Sequence, residues 1–181
     1  MTIQNLLDRK LFVILGVALL VGLHILWEYT HGGVTVHYPL ADETMPPVTN
    51  WWGLLTVPLL TWLVLTFIQR RIKHRAEAPE SSSKAILSNF LGALLFGAIA
   101  GTLWEVGAAE ILQFFILLPL FLSLFIPVHR VEHWLGFVLG MTYSFGGVLP
   151  IAIGLVLLLM SFVIHRGIRG GALWLWAKLS R

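Results

Sequence analysis

Apolar runs recur along this chain, and most are close to the roughly 20 residues that cross a bilayer as a helix. Of its 181 residues, 57% are hydrophobic and 12% are charged, whereas ordinary soluble domains carry roughly 25% charged residues. The short alternating segments typical of an outer-membrane barrel do not occur in the sequence. We therefore predict an all-α, polytopic membrane helical bundle in which residues 1–181 form a single domain.

The apolar pattern predicts about six transmembrane helices. The predicted spans cover residues 11–31, 51–68, 85–106, 110–126, 131–145 and 149–164. The run from 131 to 164 is too long for one ordinary span, and Gly146-Gly147 offers a break. A single long helix kinked at Pro150 is the alternative. The predicted connections are a loop over 32–50, a polar linker over 70–84 and an interfacial tail over 167–181.

Lys and Arg residues flank the apolar runs, and the 32–50 loop contains none of them. By the positive-inside rule, both termini and the 70–84 linker are expected in the cytoplasm. The first run lacks a small-residue cleavage pattern, so we expect an uncleaved first span. The predicted location is the bacterial cytoplasmic (inner) membrane, with the lipid bilayer as partner.

Composition excludes several function classes. The net charge of +3 comes from the Lys and Arg residues that flank the apolar runs and set the membrane topology. We therefore expect no nucleic-acid partner. The absence of cysteine excludes disulfides and thiolate chemistry.

Two of the predicted spans end in the same tripeptide, Leu26-Trp27-Glu28 and Leu103-Trp104-Glu105. These spans run in the same direction, so we expect the two carboxylates at similar depth. Ionisable groups inside membrane spans mark functional sites. His24 lies one helical turn before Glu28. We therefore predict a site that binds a ligand or protons, formed by His24, Trp27, Glu28, Trp104 and Glu105.

A metal site is a second expectation for the same helix end. His24, Glu28 and His31 stand at positions i, i+4 and i+7 and share one helix face. Imidazole and carboxylate ligands suit divalent zinc, manganese or iron. In the alternative, Glu28 and His31 lie in the wet headgroup layer and His24 makes one hydrogen bond inside the bundle.

The 32–50 loop is expected to form a lid over this end. It contains three prolines, and Trp51 and Trp52 follow it. Its candidate functional residues are His37, Asp42 and Glu43. A solvated connector is the alternative.

A second polar cluster contains His129, Arg130, Glu132 and His133. We interpret it as a juxtamembrane helix start in which Arg130 pairs with Glu132. A functional role of Glu132 and His133 at this boundary is the alternative. Small residues recur every fourth position at Ala93, Gly97 and Gly101, and again at Gly136 and Gly140. Such spacing lets helix backbones approach closely in lipid.

These observations predict transport or binding of a small solute or cation, with proton coupling, at an outward-facing acid/His site. The alternative is a membrane-embedded, metal-dependent enzyme that acts on a lipid, isoprenoid or quinone at the outer leaflet. A third hypothesis is a structural role, in which the acids contact a partner membrane subunit or a second copy of this chain.

Overall fold

The protein is a helical bundle with one small sheet. The computed structural model describes residues 7–38, 44, 46–74, 80–169, 171 and 178. The helices are α1 (Lys10–Thr30), α2 (Gly53–His74), α3 (Glu80–Glu105), α4 (Ala109–Phe115), α5 (Leu118–Leu122), α6 (Val131–Phe145) and α7 (Val148–Val163). A 3-10 turn (Asn50–Trp52) precedes α2, and a π-helical turn (Ile164–Arg169) extends α7. Strands β1 (Val36–His37) and β2 (Val48–Thr49) pair antiparallel, with Val36 opposite Thr49.

The predicted all-α class is confirmed, and four helices are long and apolar enough to cross a membrane. They cover Lys10–Thr30, Asn50–Lys73, Ser83–Glu105 and Val148–Ile168. Each exposes many large apolar side chains, as expected where lipid rather than water surrounds a helix. The chain is therefore a membrane protein.

Contacts between helices define two ends of the bundle. At one end, Lys10 Nζ donates a hydrogen bond to Gln69 Oε1 at 3.5 Å, and Arg71 pairs with Glu132. At the other end, Asn50 donates a hydrogen bond to Glu28. We call these the Glu132 end and the Glu28 end. Helices α1, α3 and α6 run toward the Glu28 end, whereas α2 and α7 run back.

The closest helix contact joins α3 to α6, which run parallel. A Cβ atom added to Gly136 would overlap the carbonyl oxygen of Phe90, and one added to Gly140 would overlap that of Leu94. Gly97 faces the carbonyl of Phe137 in the same way. The small-residue spacing thus marks where two backbones touch, as the sequence indicated. Because α3 and α6 are parallel, the intervening segment must return to the Glu132 end.

That returning segment differs from the sequence prediction. The single helix expected over 110–126 is two short helices, α4 and α5, followed by turns. In a continuous helix the Pro119 ring would clash with the carbonyl of Phe115 and could not donate a hydrogen bond to it, so α4 ends at Phe115 and α5 starts anew with the proline in its first turn. Phe115 stacks on Phe96 with ring centroids 4.5 Å apart, which shows that α4 folds back along α3.

The polar linker is also shorter than expected. Helix α2 continues to His74 and α3 begins at Glu80, so most of the predicted 70–84 linker is helical. Lys, Arg, Gln and Glu are good helix formers, and a helix needs no apolar residues once it leaves the bilayer. Residues 75–79 lie outside the described part of the chain, as does most of the predicted 167–181 tail.

The long apolar run over 131–164 is divided in two, as the glycine pair indicated. Gly146 lies between α6 and α7 with a φ angle of +64°, a conformation that residues with a Cβ rarely adopt. Helix α6 has 15 residues, which corresponds to about 22 Å at 1.5 Å per residue. Most of its residues are buried, so it is the central helix of the bundle rather than a lipid-facing one.

Candidate functional site

Glu28 occupies the last turn of α1 with only 7% of its surface exposed. Asn50 Nδ2 donates a hydrogen bond to its Oε1 atom at 2.7 Å. The backbone N–H of Thr35 donates to its Oε2 atom at 3.4 Å. Gly32 and Gly33, with φ angles of +128° and +110°, let the chain turn back directly after the helix. The turn brings Thr35 over the carboxylate that ends the helix.

His24 lies beside this carboxylate on the same helix. Its Nε2 atom is 3.5 Å from Glu28 Oε1, within ion-pair distance when the imidazole is protonated. Residues four positions apart share a helix face, which explains the contact. The predicted neighbourhood of His24 and Glu28 is therefore present.

His37, at the end of β1, reaches the same cluster from the loop. Burial lowers the pKa of His37, while the charge of Glu28, a hydrogen bond with the Asn50 side chain and the charge of Glu105 act to raise it. The net effect is a lowered pKa, so His37 is neutral at pH 7. Its Nε2 atom is buried without a hydrogen-bond partner among the residues that the structure describes. A neutral imidazole thus stands within electrostatic reach of two carboxylates.

Glu105 enters the cluster from the end of α3. Ser144 Oγ, on α6, donates a hydrogen bond to Glu105 Oε1 at 2.6 Å. The Trp104 ring packs on Phe145 at 5.1 Å, and the His37 ring lies 6.0 Å from the same phenylalanine. The end of α6 therefore connects the α3 carboxylate to the loop histidine.

Gly146 completes the packing beneath the loop. A Cβ atom added there would overlap the side-chain amide of Asn50. The glycine between α6 and α7 therefore provides both the turn and the space for the residue that holds Glu28. We call Glu28, His37, Asn50, Glu105 and Ser144 the Glu28 cluster.

Four of the predicted residues, Trp27, His31, Trp51 and Trp52, do not join the cluster. His31 Nδ1 lies 2.8 Å from the carbonyl oxygen of Trp27, and its ring stacks on the Trp27 ring at 4.8 Å. Trp27, Trp51 and Trp52 are exposed, each by more than half. Their position suits the headgroup layer, where amphipathic rings concentrate. Asp42 and Glu43 lie outside the described residues.

The expected metal triad does not assemble. Over 7–38, 46–74 and 80–169, no group of three or more His, Cys, Asp or Glu side chains is placed to hold a metal ion. His31 is directed to the Trp27 carbonyl because the helix ends at Thr30, so the regular i, i+4, i+7 stripe stops before it. The His24, Glu28 and His31 triad expected from the sequence is therefore not formed.

Asn50 and Ser144 are the functional candidates that sequence reasoning missed. Asn50 precedes the tryptophan pair and is 97% buried, an unusual position for an amide. An asparagine at the junction between a polar loop and an apolar span could have identified Asn50 as a candidate from the sequence. Ser144 carries no such signal, because one serine within an apolar helix is common.

Glu132 pairs with a different arginine than predicted. Arg71 Nη2 lies 3.1 Å from both carboxylate oxygens of Glu132. The expected partner, Arg130, precedes α6, where the backbone is extended. Helix α2 ends beside the start of α6, so Arg71 on α2 rather than Arg130 pairs with Glu132.

His129 lies near this end. Burial, together with the charges of His165, Arg130 and Arg166, lowers the pKa of His129, and Glu132 acts to raise it. Its ring centroid is 5.1 Å from that of His165.

Comparison of the chain with protein-family models, with curated proteins and with solved structures gives no match. The functional argument therefore depends on the residues of the Glu28 cluster and on the helices that carry them.

The lowered pKa of His37 predicts a pH dependence of stability. In the unfolded chain the imidazole titrates near 6.5, above its folded value. Between these two values the unfolded state binds more protons, so the free energy of unfolding falls as the pH drops below 6.5. We expect His37→Gln to lose less thermal stability than the wild type between pH 7.5 and 5. His31→Gln, at an exposed position, is the control. Equal losses in all three proteins would contradict the role of His37.

Proposed function

We propose that this protein binds a small cation, the proton included, at the Glu28 cluster, and that binding serves transport across the membrane. The observation that carries the proposal is the pair of carboxylates, one from α1 and one from α3, that both act on a single neutral histidine. Two helices that run in the same direction supply them at the same end of the bundle.

The charge balance of the cluster favours a cation. Among the described residues, the buried Glu28 accepts hydrogen bonds from the neutral donors Asn50 and Thr35, with His24 Nε2 at 3.5 Å, and the exposed Glu105 accepts one from Ser144. Neutral donors stabilise a carboxylate without cancelling its charge, and burying the uncompensated charge of Glu28, which is 7% exposed, costs several kcal/mol. Protons on the carboxylates or a bound cation would complete the site.

The oxygen-rich lining indicates which cations fit. Two carboxylates, the Asn50 amide and the Ser144 hydroxyl offer hard oxygen ligands, which suit alkali, alkaline-earth and small ammonium ions better than soft transition metals. Exchange between such an ion and protons would couple the two, because both compete for the same carboxylates.

The proposed topology has six crossings with both termini in the cytoplasm. It is supported by the parallel α3 and α6 helices, which require α4 and α5 to return across the bundle. The Lys- and Arg-free segment over 32–50 puts the Glu28 end on the non-cytoplasmic side by the positive-inside rule. The cluster would then take its ligand from outside the cell.

Cation-dependent thermal stability of the purified protein tests the proposal. The probes are sodium, potassium, magnesium, calcium and methylammonium chlorides at constant ionic strength and pH 7.5. We expect at least one to raise the unfolding midpoint, since a ligand at 100 times its Kd stabilises by about 2.7 kcal/mol.

Single carboxylate variants give the control. Glu28→Gln and Glu105→Gln should each abolish the shift, whereas Glu110→Gln, an exposed acid at the same end, should retain it. The active cation should then cross proteoliposome membranes in response to a pH gradient. No shift with any probe, or wild-type shifts in Glu28→Gln and Glu105→Gln, would overturn the proposal.

A further inference from the structure

A cavity of about 350 Å³ lies between α3, α5, α6 and α7, on the side of the Glu132 end and away from the Glu28 cluster. Its volume is within the range of pockets that hold small molecules, roughly 300–1,000 Å³. Apolar side chains dominate the wall, including Phe96, Leu122, Phe137 and Leu157. The cavity is therefore suited to the apolar portion of a ligand.

Two polar groups in the wall have no hydrogen-bond partner within the described part of the chain. Ser161 is only 1% exposed, and its Oγ atom has no hydrogen-bond partner among the described residues. His133 Nδ1 is also buried without one in that part of the chain. An unsatisfied buried donor or acceptor costs about 1–3 kcal/mol. A ligand group that hydrogen-bonds to Ser161 or His133 would remove that cost.

The charge of the wall limits the ligand further. Its polar residues are Ser88, Asn89, His133 and Ser161, and none of the lining residues is Lys, Arg, Asp or Glu. A charged headgroup would therefore enter an apolar cavity without a counter-charge, which is strongly unfavourable. An uncharged headgroup meets no such penalty.

We propose that this cavity binds a membrane-soluble amphiphile with an apolar tail and an uncharged carbonyl- or hydroxyl-bearing head. The head lies at Ser161 and His133, and the tail follows the aromatic and leucine side chains. None of the residues that line the site belongs to the Glu28 cluster.

Gly92 offers a variant that closes the cavity without disturbing the fold. It lines the cavity, and a Cβ atom added to it meets nothing within 4 Å. The leucine side chain of Gly92→Leu would extend into the ligand space. Gly16, in α1, is equally free of neighbours within 4 Å, so Gly16→Leu controls for the change in helix propensity.

Four probes with ten-carbon tails test the proposal in phosphatidylcholine nanodiscs. They are a decyl-substituted benzoquinone, decanol, decane and decanoate at pH 8, and the readouts are the unfolding midpoint and native mass spectrometry. We expect saturable binding of the quinone or of decanol, and weaker binding of decane and decanoate. Ser161→Ala should lower the affinity for the neutral probe with a polar head about three- to ten-fold, which corresponds to the loss of one hydrogen bond. Gly92→Leu should abolish binding, and Gly16→Leu should leave it unchanged.

Three results would overturn the proposal. The first is no saturable binding of either neutral headed probe, which would mean that the cavity holds water or bulk lipid only. The second is equal binding of decane, decanoate and the headed probes. The third is unchanged binding in Gly92→Leu. The quinone, decanol and decane carry no cation, so the results with these three probes do not bear on the Glu28 cluster.

Discussion

Arg71→Met is expected to lower the free energy of unfolding by about 3 kcal/mol, the lower end of the effect of leaving a buried carboxylate without its partner, because Arg71 itself is 32% exposed. Glu132 is 1% exposed, and Arg71 Nη2 lies 3.1 Å from both of its carboxylate oxygens. Methionine keeps most of the apolar stem of the arginine but leaves the carboxylate without a counter-charge. Reversible unfolding in mixed detergent micelles measures the difference.

The adjacent arginine provides the matched control. Arg70 is exposed, and Arg70→Met should change stability by less than about 0.5 kcal/mol. The double variant Arg71→Met, Glu132→Gln should recover much of the loss, because it removes the buried charge together with its partner. Equal stability of Arg71→Met and Arg70→Met would show that the pair is dispensable.

Gly140→Ala and Gly136→Ala are expected to destabilise the bundle by about 3 kcal/mol or more, at the upper end of the effect of overpacking a core. The added Cβ atoms would overlap backbone carbonyl oxygens of α3, at Leu94 and Phe90 respectively. Backbone atoms cannot rotate away as a side chain can. The helices must therefore separate, and the central contact of the bundle is lost.

Gly92→Ala is the control for this experiment, since it makes the same chemical change on α3 where nothing lies within 4 Å. It should raise stability by about 0.5–1 kcal/mol, because alanine loses less backbone entropy than glycine in a helix. The measurement is the thermal midpoint and the yield of monodisperse protein. Stability of Gly140→Ala equal to that of Gly92→Ala would contradict the α3–α6 contact.

Local features of the sequence were enough to predict the helices. Long apolar runs predict α1, α2 and α3, and the glycine pair at Gly146 predicts the break between α6 and α7. The exception is the 110–126 segment, where Pro119 divides a run of sufficient apolar length. The apolar composition of this segment favoured one continuous span. The proline alone did not argue against it, because a helix can also begin with proline in its first turn.

The candidate site was only partly predictable. The Leu-Trp-Glu repeat and the helical spacing of His24 indicated the acidic end, since both are properties of single helices. The predicted loop over 32–50 indicated His37 as a candidate but not which residues surround it. Ser144 and Asn50 act through contacts across 39 and 22 positions of the chain. The spacing of residues within one helix cannot predict such contacts between different helices.

The sequence by itself determined the membrane setting, the helices of the bundle and the presence of two carboxylates near the ends of parallel spans. Each depends on residues within one apolar run. Only the tertiary structure decided that Arg71 rather than Arg130 pairs with Glu132, and that His37 lies within reach of both Glu28 and Glu105. Helices that are apolar on most faces carry little information about which face meets a neighbour. Their rotation is decided by backbone contacts such as those of Gly136 and Gly140, and these exist only once the helices pack.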